Sequence, residues 1–401
     1  MKKVLCLFLL MSSLLTAQAN TPTQVWDMQK LSVAPEYEFI PVGDDNSGTK
    51  GILYRGMDFK GEEKQVFAFY STPGILKGDE SLDKDLPVVV CVHGAGGQAN
   101  AEWVRLWASR GYAAISMDLR GFGLGHKPLP NGYKYEKGMM HYFSCYKNQQ
   151  DDWFYHAVGD VILAHSLVGS FKEVNADKSA ITGISWGGII TSAAIGVDLR
   201  FKVAAPVYGC GDFFMRGQMK EKVEKQPKWA VERWKTMYNP TLRYSNVSIP
   251  VLFVNGTNDV HFYVQDWITS YKSVYAHATS LRLRFRHAQK YGSVVGEIHD
   301  FFDNVLVKPV EMPVFDDLRF TGSSARCKII LPKGYKLSLL YCLDANPTDK
   351  TIWSTVSVDY KEGEETVVTI PGDYQMWCFS AAKGKGNGQV FTSDIGVRAE
   401  W

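Results

Sequence analysis

The sequence has no CxxC pair, no cluster of His and Cys at metal-ligand spacing, no excess of either charge, and no long apolar run beyond its first residues. Each absence excludes something. Without paired or clustered ligands, a structural zinc site is not expected. The 44 basic residues face 42 acidic ones. Loss of Lys2 and Lys3 with a leader would make them equal, which leaves no electrostatic reason to expect nucleic acid or an anionic membrane as partner. No later stretch is apolar for long enough to be a transmembrane helix, and neither an internal repeat nor a low-complexity tract is present.

The opening "MKKVLCLFLLMSSLLTAQAN" does carry an apolar run, from Val4 to Leu15, behind two lysines and ahead of Ala17-Gln18-Ala19. That arrangement reads as a secretory signal peptide over residues 1–19, too short to span a bilayer. Cys6 stands at the start of the run, not after it, which argues against a lipoprotein signal. The expected product is soluble and exported, periplasmic or secreted, and it keeps six of the seven cysteines. Export permits disulfides, but Cys91 and Cys210 lie in apolar strand-like runs, where a buried free thiol is the simpler reading.

What is present is an alternation of strands and helices. "LPVVVCVHG" (86–94), "YAAISMDLRG" (112–121), "SAITGIS", "FKVAAPVYG", "IPVLFVNGTND" (249–259) and "LRLRFR" (281–286) read as buried strands. Helical spacing occupies 99–110, 151–172, a stretch from Gly187, 263–276 and 296–306. The fold class is therefore α/β, a doubly wound, mostly parallel sheet, with a hairpin over 48–73 leading into it. After Leu306 the pattern changes. "VKPVEMPV" reads as a linker, and six or seven short strands separated by "LPKG", "PGD" and "KGKGNG" read as a smaller C-terminal immunoglobulin-like β-sandwich. The expected division is 20–308 for the first domain and 309–401 for the second.

"TGISWGGII" places Ser185 between Gly183 and Gly187, with an apolar strand before it and a small-residue helix after it. In that context a serine sits on a sharp strand-to-helix turn, its oxygen raised above the sheet. A Cβ at either glycine would collide with the neighbouring strand or helix. A serine hydroxyl needs a base, and the base an orienting acid. "VLFVNGTND" ends a strand at Asp259, the expected acid, with Asp212 one strand earlier as the alternative. His287, at the start of the last loop, is the expected base and His299 the alternative. His261 is too near Asp259 in the chain to reach both acid and serine, and His277 belongs at the other edge of the sheet. The backbone amides of Trp186 and Ala95, the latter in "HGAGG", are the expected oxyanion donors. His93 and Asp118 read as loop-ordering residues.

Together "VHGAGG", "SMDLRGFG", "GISWGG", "VNGTND" and the late His287 resemble the acetyl xylan esterase and cephalosporin C deacetylase group of α/β-hydrolases. They are similar also to the dienelactone-hydrolase-like and prolyl-oligopeptidase-like relatives. The resemblance covers residues 45–307 and implies an α/β-hydrolase catalytic domain with Ser185, Asp259 and His287 as nucleophile, acid and base. "MDLRGFG" corresponds to that group's MDxRGxG stretch. Two features depart from it: a Tyr usually stands where this chain has Ala95, and members often lack the C-terminal sandwich. The implied activity is removal of a small acyl group, acetyl above all, from a carbohydrate. A methylesterase or peptidase on the same residues is the second reading, and a polysaccharide-binding protein without catalysis the third. No cofactor is implied, since "GFGLG" (121–125) lacks the spacing of a nucleotide-binding loop. The 208–247 insertion, with Trp229, Trp234 and Tyr238, is expected to wall one side of the cleft.

Overall fold

A computed structural model describes residues 24–134, 143–321, 323–384 and 388–398. Residues 1–19, expected to be a signal peptide, and the middle of the "KGKGNG" turn lie outside the described residues. Seventeen strands are described there: β1 Tyr37–Ile40, β2 Lys50–Arg55, β3 Gln65–Ser71, β4 Leu86–Val92, β5 Ala113–Met117, β6 Val174–Ile184, β7 Val203–Val207, β8 Val251–Gly256, β9 His277–Arg282, β10 Val314–Thr321, β11 Ser324–Ile330, β12 Lys336–Cys342, β13 Trp353–Ser357, β14 Glu365–Thr369, β15 Met376–Lys383, β16 Gln389–Thr392 and β17 Gly396–Val397. The central sheet begins β1-β2-β3-β5-β4-β6-β7-β8-β9. Its first three strands pair antiparallel, the hairpin expected over 48–73 among them. From β5 to β9 every pairing is parallel.

The parallel strands are apolar almost throughout because helices cover both faces. Every residue of β5, β7 and β8 is buried. The helices Trp153–Gly169 and Trp186–Ile195 are nearly as apolar, and the second packs on β6 and β7. Strand order reverses about β4: β5 follows on one side, β6 lies on the other. The loops leaving β4 and β6 therefore diverge at the sheet's carboxyl edge, where doubly wound sheets open a crevice.

β9 starts earlier than the apolar run suggests, at His277 and not Leu281. Its register is fixed by β8, from Val251 opposite His277 to Gly256 opposite Arg282. The polar residues that disguise it are satisfied inside the sheet: Thr279 Oγ1 donates to Thr392 O at 2.9 Å, and Ser280 Oγ to Glu297 Oε1 at 2.6 Å. Past Arg282 the chain turns, with Arg284 at φ 52°.

The C-terminal region is antiparallel and two-layered. One layer is the separate sheet β10-β11-β14, and the other, β16-β15-β12-β13, continues the central sheet through β9. Period-two alternation sends the two faces of β12 and β15 to different cores. Leu337, Leu339, Trp377 and Phe379 pack under the small sheet, whereas Leu340, Cys342, Met376 and Cys378 join the main core. β10 lies where the sequence had suggested no strand. A register shift between Asp316 and Arg319, with Asp317 at φ 53°, breaks the alternation that would have marked it. Among the described residues the six cysteines are all free and buried.

His277 ties the two parts together. Its Nε2 lies 3.0 Å from Asp394 Oδ1 and its Nδ1 2.6 Å from Val274 O. Burial and Lys272 oppose a charge on this ring, but the bonds to Asp394 and the Val274 carbonyl outweigh them and raise its pKa above 6.5. A raised folded value means the stabilisation is complete below about pH 6.5 and disappears as pH rises through the folded pKa. Thermal melts of parent and Asp394→Asn are therefore expected to differ most in mildly acidic buffer and to converge at alkaline pH. A gap that stays constant across pH would refute the assignment.

Candidate active site

β6 ends at Ile184 and the helix begins at Trp186, so Ser185 alone makes the turn, at φ 61° and ψ −120°. That conformation costs a non-glycine residue about 1–3 kcal/mol. It is held by Ser185 N–H donating to Val207 O at 2.8 Å and by Ile189 N–H donating to Ser185 O at 3.1 Å. The glycines on either side are required by close approach. A Cβ at Gly183 would stand 2.2 Å from Gly187 O, and one at Gly187 2.0 Å from Val92 O and 2.6 Å from His93 O. The collision expected from the motif is thus with the helix in one case and with the end of β4 in the other.

The loop after β4 lies against this turn. A Cβ on Gly94 would be 3.1 Å from Ser185 Cβ and 3.7 Å from its Oγ. His93 orders the loop from below: its Nε2 accepts the Leu119 N–H at 3.0 Å, and its Nδ1–H donates to Gly94 O at 2.6 Å. Asp118 orders the next loop by accepting the amides of Arg120 and Phe122, both at 2.8 Å. Arg120 Nη1 then donates to the carbonyls of Gly96 and Gly97 at 3.3 Å, joining the two loops.

Of the two carboxylates, Asp259 meets the histidine. Its Oδ2 lies 2.7 Å from His287 Nδ1, and its Oδ1 accepts the amides of His261 and Phe262, both at 2.8 Å. With Nδ1 committed to Asp259, the opposite ring nitrogen is the one left for a reacting group. Asp212 instead bonds Asn239 Nδ2 at 2.6 Å. His299 is buried in the helix Gly296–Leu306 against Trp107, and burial pushes its pKa well down.

Ser185, Trp186, Ala95 and His287 line one cavity of ≈ 390 Å³. Five further residues line it: Phe262, Gln289, Met219 and Lys222 were not named from the sequence, and His261 was weighed there only as a base and set aside. His261 and Phe262 lie two and three residues past the acid and Gln289 two past the histidine, so their chain positions were a usable signal. Met219 and Lys222 come from the helix Gly217–Glu224 inside the 208–247 insertion, which does wall the cavity. Its aromatics do not: Trp234 and Tyr238 are buried beneath, and Trp229 points to solvent under Arg233. The His261 ring stands 4.9 Å from that of His287. Burial, and after it the neighbouring His287, lowers its pKa to about 4, so it is an uncharged imidazole at neutral pH.

Residues 25–240 match the family model described as acetyl xylan esterase (AXE1). The chain belongs to the acetyl xylan esterase family. It is a serine carboxylic ester hydrolase with the α/β-hydrolase fold. Among solved structures, the acetyl xylan esterase from Paenibacillus sp. R4 is 21% identical over 69% of this chain and 92% of its own, with a TM-score of 0.55. Acetyl xylan esterase 1 from Thermoanaerobacterium sp. JW/SL YS485 is 15% identical over 69% and 93%, with a TM-score of 0.54. At these identities the likeness is one of fold. A search of the curated proteins finds no match. Among the described residues, no helix is long and apolar enough to cross a membrane, and no group of His, Cys, Asp and Glu could hold a metal ion.

The tight crossing at Gly187 yields a stability prediction. Gly187→Ala forces apart the end of β4 and the start of the helix, and a loss of about 1–3 kcal/mol is expected in denaturant unfolding. An unchanged midpoint would show that the crossing can relax at no cost.

Proposed function

We propose that this esterase is an exported enzyme that removes acetyl groups from carbohydrate, with Ser185 as nucleophile, His287 as general base and acid, and Asp259 as the carboxylate orienting the imidazole. The observation that carries the reading is the 2.7 Å bond between Asp259 and His287, in a cavity whose wall includes a serine at φ 61°. His287 takes the Ser185 proton as Oγ attacks the acyl carbon. The resulting oxyanion is stabilised by the Ala95 and Trp186 amides, the latter at a helix N-terminus where the dipole favours negative charge. Collapse breaks the bond to the sugar oxygen, which leaves with the proton from His287. Water then attacks the acyl-enzyme, giving its proton to His287. The second collapse breaks the acyl–Oγ bond as His287 returns that proton to Ser185 Oγ, releasing acetic acid, which ionises to acetate. Uncharged His261 beside this ring and Lys222 on the cavity wall offer polar groups to a carbohydrate's hydroxyls.

Hydrolysis of p-nitrophenyl acetate and of acetylated xylan by the purified protein tests the reading. Ser185→Ala is expected to lose about a thousandfold or more in kcat and to lose labelling by a fluorophosphonate. Release of methanol from pectin, or of amine from a peptide amide, with acetyl esters untouched, would favour the methylesterase or peptidase reading instead.

The acid loop is also held from outside the central sheet. Asn258 Nδ2 donates to the carbonyls of Asp349 at 2.9 Å and Thr351 at 3.1 Å, and Tyr263 OH lies 3.3 Å from Asp349 Oδ1. These contacts make Asn258 a positioning residue for Asp259. Asn258→Ala is expected to lower kcat about tenfold at unchanged KM, since a small misplacement of the acid acts on chemistry and not on substrate binding. A matching fall in melting temperature without a kinetic effect would assign the contact to stability alone.

A further inference from the structure

The chain as a whole balances its charges, but the two segments that bound the Ser185 cavity do not. The insertion 208–247, whose helix Gly217–Glu224 supplies Met219 and Lys222, carries eight basic and four acidic residues. The segment 281–296, which carries His287 and Gln289, has four basic residues and no acidic one. Of the chain's 44 basic and 42 acidic residues, that leaves 32 and 38 elsewhere. Positive charge is therefore in excess beside the reacting serine and in deficit over the rest of the chain. Internal pairing does not consume the excess. Arg216, Arg233 and Arg282 are bound to Asp266, Asp152 and Glu297. Lys222, Lys225, Lys228, Arg284, Arg286 and Lys290 have no carboxylate partner among the described residues. All of these but Lys222 are exposed; Lys222 is partly buried, on the cavity wall.

Inside the cavity nothing offsets Lys222. The ionisable residues that line it are Lys222, His261 and His287, with no Asp or Glu among them. The carboxylate of the site, Asp259, is 3% exposed, with Oδ2 on His287 and Oδ1 on two backbone amides, so it has nothing left to give the ammonium. The Lys222 charge is felt at His261, whose pKa is lowered by burial above all, then by His287, with Lys222 acting in the same direction. A lysine held partly out of water with no counter-charge carries an uncompensated desolvation cost, and a carboxylate brought in by a ligand would offset it. A cleft walled by one sign of charge also concentrates ligands of the opposite sign.

We propose that Lys222, within this basic surround, is a specificity-determining residue that selects esters bearing a carboxylate close to the bond that is cleaved. The carboxylate belongs to the alcohol part, as in an acylated uronic acid, or to the acyl part, as in a half-ester of a dicarboxylic acid. The proposal rests on the esterase reading above and adds to it the charge of the substrate. Its test compares kcat/KM within two matched pairs: acetylated methyl glucuronoside against acetylated methyl glucoside, and p-nitrophenyl hemisuccinate against p-nitrophenyl valerate. At about 0.01 M salt, where the screening length is about 30 Å, the parent is expected to favour the charged member of one pair. The expected preference is about fivefold, the worth of one partly screened ion pair, and the pair that shows it identifies the carrier of the carboxylate. At about 1 M salt, where the screening length is about 3 Å, the preference should fall to near parity. Lys222→Gln should remove most of it, and Lys222→Glu should reverse it in favour of the neutral ester. A parent that hydrolyses the esters without regard to charge, or favours the neutral members, overturns the proposal and spares the esterase reading. A preference that survives high salt or either substitution also overturns it. A parent inactive on all four removes both.

Discussion

Between Ile184 and Gly187 the chain reverses from strand to helix in a turn whose flanking glycines have no room for a Cβ. Gly183 meets the backbone of Gly187, and Gly187 meets the backbone at the end of β4. That double contact forces Ser185 into a left-handed conformation and lifts it out of the sheet. It also brings the β4 loop against the serine, because the same glycine that frees the helix admits the Val92 and His93 carbonyls. The strain is repaid by the surrounding core, in which β4, β6, β7 and the helix after Ser185 are almost wholly buried. The site is local in sequence at this one point only.

Everything else comes to the serine through the sheet. β8 and β9 lie beyond β7 in parallel register, so their carboxyl ends carry Asp259 and, past a turn, His287 to the same rim. The carboxylate is fixed by two backbone amides before it meets the imidazole, so its orientation owes little to the histidine. The C-terminal strands add a brace on the outer side. Because β12 and β15 belong to the central sheet on one face and to the small sheet on the other, the segment 349–351 has a rigid base from which to grip Asn258. A region that looks like an appendage thus braces the loop that carries Asp259.

Much of this was legible from residue order. The strand-helix alternation, the elbow glycines and a carboxylate at the end of a clean apolar strand are local patterns with local causes. Where the reading erred, the cause was not local. β9 was displaced because its polar residues are satisfied by Thr392 and Glu297, which the chain supplies far away. β10 was missed because a bulge at Asp316–Asp317 destroys the alternation that marks a strand. The insertion was expected to wall the cleft, and it does so through Met219 and Lys222, which have no distinguishing pattern, while Trp234 and Tyr238 fill the space beneath Trp186. A periodic stretch announces that a residue is buried or exposed, and says nothing of which neighbour it meets.

The order of chemical groups along this chain is a property of the sequence alone: a serine flanked by glycines, then a carboxylate, then a late histidine, on an alternating α/β framework. Their spacing needed only short-range sterics and hydrophobic periodicity to be read. The proximity of a second imidazole at residue 261, the cavity-facing side chains of the insertion and the fusion of the C-terminal strands to the sheet were decided by tertiary structure. Each depends on contacts between segments tens to hundreds of residues apart, whose geometry is set by strand order and packing and leaves no trace in any single stretch of sequence.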